Sequence, residues 1–272
     1  MILSYHPLIE GHENRLTAHR EPDEGDREAI RAADAVILPQ GFRPSWWAGA
    51  FVGCGKAFPD YRLRFPHPGK TGQARLFAEL GLPHPRTVAF GGAKEFSGAP
   101  EPPFGYPCVF KPDWGGEGEG VALTHEPKDV ARLLSGNAGR GGFVLQEFVP
   151  SGGRTLRVAV VGDQLAAYWK VAPVGAPLRA GIASGGSLDR ESDPGLMEKG
   201  VEAARDFCGR TGVNLAGLDF LFPLDRDTPL LLEINWFFGR RGLGGSDRFY
   251  ELLARAVDRW LVAQGLPPLP GA

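Results

Sequence analysis

The 272-residue chain lacks the marks of several protein classes. Its formal net charge is only −2, which gives no electrostatic case for a nucleic-acid or anionic-membrane partner. It has three cysteines, Cys54, Cys108 and Cys208, odd in number, far apart and in no metal-ligand spacing. They argue against a disulfide framework and for a reducing compartment. No stretch approaches the roughly 18 apolar residues of a membrane-spanning helix. MILSYHPLIEGHENR carries neither the basic leader nor the apolar run of a signal peptide. A soluble, cytoplasmic protein is the expectation. His6, His12 and His19 fit no local metal motif. Lysine is scarce, 7 residues against 23 arginines, so each lysine is worth examining.

What is present is an ordinary globular balance, 43% hydrophobic and 23% charged, with abundant glycine (39) and proline (24) to punctuate it. Residues 1–66 read as a small α/β unit: strand MILSY, helix REPDEGDREAIRAADA with an acidic first turn, strand AVILPQG, helix SWWAGAFVG and strand CGKAFPDY. A helix GKTGQARLFAELG follows, bracketed by prolines. Beyond a Gly/Pro-rich joint, CVFKPDWGGEGEGVALT reads as strand, glycine loop and strand. EPKDVARLLSGN is a short helix and FVLQEFV a strand. TLRVAVVGDQLAAYWKVAP is a hairpin turning at VGDQ. Helix LMEKGVEAARDFCGRTG, the strand pair LAGLDFLF and PLLLEINW, and helix DRFYELLARAVDRWLVAQG complete the chain. Mixed hairpins and helices predict an α+β fold rather than one parallel sheet. The expected division is 1–66, 67–149 and 150–272.

Three stretches carry chemistry. In VFKPDWGGEGEGV, Lys111 on a strand precedes glycines that let N–H groups approach phosphates closely. The segment is neither a Walker P-loop nor a Rossmann fingerprint, because no GK-Ser/Thr follows the glycines and a strand, not a helix, comes next. A plain glycine-rich hairpin with an exposed lysine is the alternative. In LAGLDFLFPLDRDTPLLLEIN, pairing Asp219 with Glu233 centres the hairpin on Arg226. Period-two alternation then places Asp219, Glu233 and Asn235 on one face. Two carboxylates and an amide oxygen are hard ligands suited to Mg2+; a half-exposed face of solvated acids is the alternative. FVLQEFVP, followed by SGGR, reads as a hinge whose backbone could meet an adenine edge.

In order, Lys70, Lys111, the hinge at Gln146, Glu147, Phe148 and Val149, Arg157, and the acidic hairpin resemble the ATP-grasp superfamily. Within it the resemblance is to the branch of ribosomal-protein glutamate ligase and glutathione synthetase. The matching stretches are HPGKTGQARLFAELGLPHPRT, PCVFKPDWGGEGEGVAL, FVLQEFVPSGGRTLRVAVVGDQLAAYWK, LRAGIASGGSLD and LAGLDFLF with LLLEIN. The resemblance implies an ATP-grasp fold of two α+β lobes clamping ATP. Lys70 and Lys111 would contact its phosphates, and a loop with Gly115, Gly116, Gly118 and Gly120 would close over them. Glu147 and Val149 would offer backbone to the adenine. Asp219, Glu233 and Asn235 would hold one or two Mg2+ ions, with Mn2+ as a substitute. Arg157 and Arg179 would serve catalysis on an acyl phosphate, and Lys170 is a further substrate contact.

The implied activity joins a small-molecule or peptide carboxylate to an amine. A phosphotransferase of the same fold and a non-catalytic nucleotide-binding protein are the alternatives. Homo-oligomers are common in the family, so self-association is also implied. Two departures stand out. Thr155 occupies a position where relatives carry an acid. After Asn235, the small residues of relatives give way to WFFGRRGLGG, where Arg240 and Arg241 would receive an anionic substrate or acyl phosphate.

Overall fold

The computed structural model describes residues 1–17, 19–97, 101–113, 115, 116, 118–136, 141–176, 178 and 185–269. Its first layer is a parallel sheet of β1 (Ile2–Ser4), β2 (Glu13–Asn14), β3 (Ala35–Ile37) and β4 (Ala57–Phe58), in the order β2-β1-β3-β4. Alternation gives it two apolar faces. Leu3 and Val36 pack with Ile30 of α1 (Glu24–Ala32) and Trp46 of α2 (Pro44–Gly53). Ile2, Ala35 and Ile37 enter a different core, shared with the C-terminal helix. α1 starts where the sequence places its acids: the Asp23 side chain accepts from Asp26 N–H, and the Asp26 side chain accepts from Asp23 N–H.

α3 (Gly69–Glu79) follows and packs against both remaining sheets. The first of these is antiparallel, with β5 (Thr87–Phe90), β6 (Cys108–Pro112), β7 (Ala122–Thr124) and β8 (Phe143–Glu147) in the order β5-β8-β6-β7. Phe90, Phe110 and Phe143 stack on its inner face with Val130 of α5 (Pro127–Ser135). α4 (Ala93–Phe96) adds Phe96 against the same rings.

The largest sheet is antiparallel: β9 (Arg154–Val161), β10 (Gln164–Val171), β11 (Ser187–Asp189), β12 (Leu215–Leu221) and β13 (Leu230–Asn235), in the order β11-β10-β9-β12-β13. Leu156, Val158 and Val160 of β9 face α6 (Pro194–Thr211) with Ala204 and Phe207. The intervening residues divide the other face in two. Ala159 and Val161 lie under α7 (Ser246–Ala263), with Phe249, Leu253 and Val257. Thr155 and Arg157 leave the far half polar.

The β12–β13 register is the expected one at its functional end, Asp219 opposite Glu233 and Gly217 opposite Asn235. The pairing then shifts, because Phe220 meets Leu231. Leu232 is therefore the extra residue of a bulge directly before Glu233. The result is the α+β architecture that the mixed hairpins predict. Four short elements, β2, β5, α4 and β11, carried no periodic signal. Among the described residues no helix is long and apolar enough to cross a membrane.

Candidate active site

The polar half of the large sheet floors a cavity of about 530 Å³. Strand pairing aligns four of its residues in one row across four strands: Tyr168 opposite Arg157, Arg157 opposite Asp219, Asp219 opposite Glu233. Asp219, only 2% exposed, is the centre of this row. Its carboxylate accepts from Arg157 Nε and, at 2.9 Å, from Nη2. Lys170 Nζ lies 2.7 Å from Oδ2, and the Asn235 amide donates to the same oxygen at 3.2 Å. Burial opposes ionisation of Asp219, but the charges of Arg157 and Lys170 outweigh it and hold the carboxyl down at about 2.

Gly217 makes room for this arrangement. A Cβ there would lie 3.0 Å from Arg157 Cδ and Nη1 and 3.1 Å from Phe238 Cβ. Glu233, next along the row, is joined to no cation by an ion pair among the described residues. No group of three or more His, Cys, Asp or Glu converges anywhere among those residues. The oxygens of Asp219, Glu233 and Asn235 would suit a hard divalent ion that takes only part of its ligands from the protein.

The opposing wall comes from α3 and the β6–β7 loop, with Lys70, Lys111, Gly115, Gly116 and Gly118 lining the cavity. Gly115, Gly118 and Gly120 all have positive φ, near +80°, +86° and +70°, a conformation that favours glycine. Gly120 lies in the same loop but does not line the cavity. Lys111 Nζ donates to Gln146 Oε1 at 2.6 Å. Desolvation, helped by the charges of Lys70 and Lys170, pushes its ammonium down to about 8 against the pull of Glu233 and Asp219. A narrow extension of about 20 Å³ continues past Lys111 between Ala74, Phe77, Thr87, Val144 and Gln146.

The structure thus brings together Lys70, Lys111, the glycine loop, Arg157, Lys170, Asp219, Glu233, Asn235, Arg240 and Arg241 around one space. It places Gln146 on the extension, while Glu147, Phe148 and Val149 line neither. The Glu147 N–H is already donated to the Arg86 carbonyl at 2.8 Å, and its carboxylate pairs with Arg86 at 2.9 Å. Arg179 lies outside the described residues.

Two positioning residues escaped the sequence reading. Asp113 accepts from Thr71 N–H at 2.8 Å and from Thr71 Oγ1 at 2.7 Å, fixing the start of α3, and so Lys70, beside β6, the strand of Lys111. Buried Gln73 donates to Ile234 O at 2.9 Å and accepts from Ile234 N–H at 2.8 Å. It treats the edge of β13 as a neighbouring strand would, and thereby fixes Glu233 and Asn235 on either side. Both residues had a faint signal. Gln73 is three residues beyond Lys70 and shares its helix face, and Asp113 is two beyond Lys111.

Among the described residues, six cationic side chains around this cavity face three carboxylates, an excess suited to a polyanion. A layered α+β frame with an acidic strand pair facing strand- and helix-borne lysines across a glycine loop is the ATP-grasp architecture. Residues 70–247 match the RimK-like ATP-grasp domain, and the chain belongs to that family. It is 29% identical over 142 residues to the probable alpha-L-glutamate ligase 1 of Shewanella frigidimarina, covering 51% of this chain and 45% of that one. It is 29% identical over 175 residues to human N-acetylaspartylglutamate synthase A, covering 58% and 41%. The chain therefore matches about half the length of such curated relatives. Among solved structures, a RimK domain ATP-grasp protein from Sphaerobacter thermophilus superposes with a TM-score of 0.60 at 17% identity, covering 94% of this chain and 98% of the other. D-alanine–D-alanine ligase from Bacillus anthracis gives 0.64 at 11% identity, covering 97% and 98%. At those identities the superpositions speak for the fold.

Proposed function

We propose that the protein is an ATP- and Mg2+-dependent carboxylate–amine ligase working in the cytoplasm. The carrying observation is the row Arg157–Asp219–Glu233 facing Lys70 and Lys111 across one cavity. Residues 67–149 and 150–272 act as the two lobes that close on the nucleotide. The adenine would lie toward the Gln146 end of the cavity, past Lys111, while Lys70, Lys111 and the glycine loop would bind the triphosphate. Glu233, Asn235 and the unshared lone pairs of Asp219 would hold the ion, which would offset negative charge developing on the phosphates.

The acid's carboxylate oxygen attacks the γ-phosphorus, forming the acyl phosphate as the bond to ADP breaks. The amine nitrogen then attacks the acyl carbon, the C–O bond to phosphate breaks, and the nitrogen loses a proton. Arg157 and Lys170, held fixed by Asp219, stabilise negative oxygens in both steps without reorganising. Arg179 is assigned to the same phosphate or substrate region. Names of relatives such as glutamate ligase and N-acetylaspartylglutamate synthase support an amino acid or peptide as substrate.

The test is phosphate release over a panel of amino acids and short peptides. ADP and phosphate should form only when acid and amine are both present, and Glu233→Ala should abolish them. A phosphorylated acid accumulating without amine would instead favour a phosphotransferase, and turnover surviving Glu233→Ala would remove the metal assignment.

The low value of Lys111 makes nucleotide binding pH-dependent. With no nucleotide bound the ammonium is pushed down to about 8; bound phosphates favour the charged form and raise that value. Affinity for AMP-PNP is therefore full below pH 8 and falls above it, by up to about ten-fold per pH unit. Titrations at intervals between pH 7 and 9.5 check this, with Lys111→Met lacking that step.

A further inference from the structure

The double arginine at the end of the cavity is built asymmetrically. Arg240 lies with its guanidinium carbon 4.6 Å from the Phe249 ring centre and 4.5 Å from that of Tyr250, both on α7. Its charge reaches the N-terminal unit. His6, whose ring is 5.9 Å from Tyr250, is held down at about 4 by burial and by Arg240. The Arg240 carbonyl accepts from Leu243 and Gly245 N–H, each at 3.0 Å, so the turn folds onto it. Arg240 is thus fixed by rings and by its own backbone.

Arg241 differs. It begins the 3-10 turn Arg241–Leu243, lines the cavity, and its side chain makes no hydrogen bond or ion pair with a described residue. Its backbone, however, is clamped. Arg190, just past β11, donates from Nη2 to the Arg241 carbonyl at 2.8 Å and from Nε to the Gly242 carbonyl at 3.3 Å. Gly242 in turn sits flush on the Tyr168 ring, whose Cζ would be 2.0 Å from a Cβ at that position. A free guanidinium on a rigid turn pays little ordering cost when it meets a carboxylate in two-pronged fashion.

We infer that Arg241 receives a second anionic group on the acid substrate, that Arg190 is the positioning residue aiming it, and that Arg240 is a buttress. The inference rests on the ligase reading. The nucleotide's phosphates are served from the other wall, where Lys70 and Lys111 border the narrow extension. The reacting carboxylate is drawn to Arg157 and Lys170 on the sheet floor, so a cation beyond that floor suits a further charge on the acid. The substrate class is an acid with two anionic groups.

The test uses the full chain loaded with AMP-PNP and Mg2+, titrated calorimetrically with N-acetyl-L-glutamate and with N-acetyl-L-glutamine, which lacks the second charge. The dianion should bind about ten-fold or more tightly than the monoanion. Arg241→Ala should erase that ratio and leave AMP-PNP affinity unchanged, and Arg241→Lys should restore part of it. Arg190→Ala should shrink the ratio, whereas a merely structural loss would weaken both ligands alike. Equal binding of the two acids by the unaltered protein, no binding of either, or an Arg241→Ala effect on AMP-PNP alone would overturn the inference. The ligase reading would survive those results if phosphate release still required acid and amine. Failure of AMP-PNP itself to bind would remove both.

Discussion

Asp219→Ala should leave a folded but markedly weakened protein with no measurable ligation. The carboxylate is 3% exposed and is shared by Arg157 and Lys170, themselves 8% and 17% exposed at the side chain. Removing it leaves two adjacent cations without the carboxylate that pairs them, a change that costs about 3–5 kcal/mol for a buried pair. The loss can be read from urea unfolding. Asp219→Ala combined with Arg157→Met should recover part of it, since replacing both partners with apolar groups is far milder than breaking the pair. Activity should not return in the double variant. Both lose an ion ligand and the fixed placement of cations around the reacting oxygens, worth about 10²–10³-fold or more in rate. Stability and activity then separate, which a purely structural role for Asp219 does not allow.

Sign matters for the pH behaviour of this cluster. The Asp219 carboxyl, held at about 2 in the folded chain, contributes stability that is present above its ordinary value of 3.8 and is lost as pH falls toward 2. Asp219→Asn should therefore flatten that acid limb of the unfolding curve.

Gly242→Ala is the second large effect, and it acts through shape alone. Gly242 is not among the glycines with positive φ, so its backbone tolerates a side chain. Space is what is missing: a Cβ would fall 2.0, 2.1 and 2.5 Å from Tyr168 Cζ, Cε1 and Cε2. The ring cannot swing aside freely, because Tyr168 is 3% exposed on the row that holds Arg157 and Asp219. Either the ring or the turn that carries Arg241 has to shift. Overpacking of this kind costs about 1–3 kcal/mol, and a displacement of about 1 Å at a positioning loop can cost about 100-fold in kcat/KM. The measurement is kcat/KM for the acid in Gly242→Ala, Tyr168→Ala and the double variant. Relief of the clash makes the double variant far less impaired than the two single losses multiplied together.

How much of this was legible beforehand follows from the range of each interaction. The β12–β13 hairpin was readable because its pattern is local: LAGLDFLF and LLLEIN are apolar runs broken by isolated polar residues, and two prolines bound the turn between them. Lys111 stood out because lysine is rare in this chain and glycines follow it. Gln73 left only the faint signal of sharing a helix face with Lys70, because its partner is the backbone of Ile234, 161 residues away. Arg190 was likewise one arginine among 23 until the fold set it on two carbonyls. Gly217 and Gly242 looked like ordinary punctuation, yet each is a gap shaped for a neighbouring side chain. β5 was missed because TVAF is four residues long and sits between prolines and glycines, too short to show a period. Arg240 and Arg241 looked equivalent in sequence and differ only in what their elements place beside them.

The most direct measurement follows the oxygen. An acid that supports turnover is prepared with 18O in its carboxyl group and incubated with ATP, Mg2+ and the amine, and the released phosphate is weighed by mass spectrometry. Activation through an acyl phosphate transfers one carboxyl oxygen to phosphate, so the product phosphate should carry a single 18O, and Glu233→Ala should release none. Unlabelled phosphate accompanying amide formation would contradict the account, because the carboxylate would then not be the group that attacks ATP.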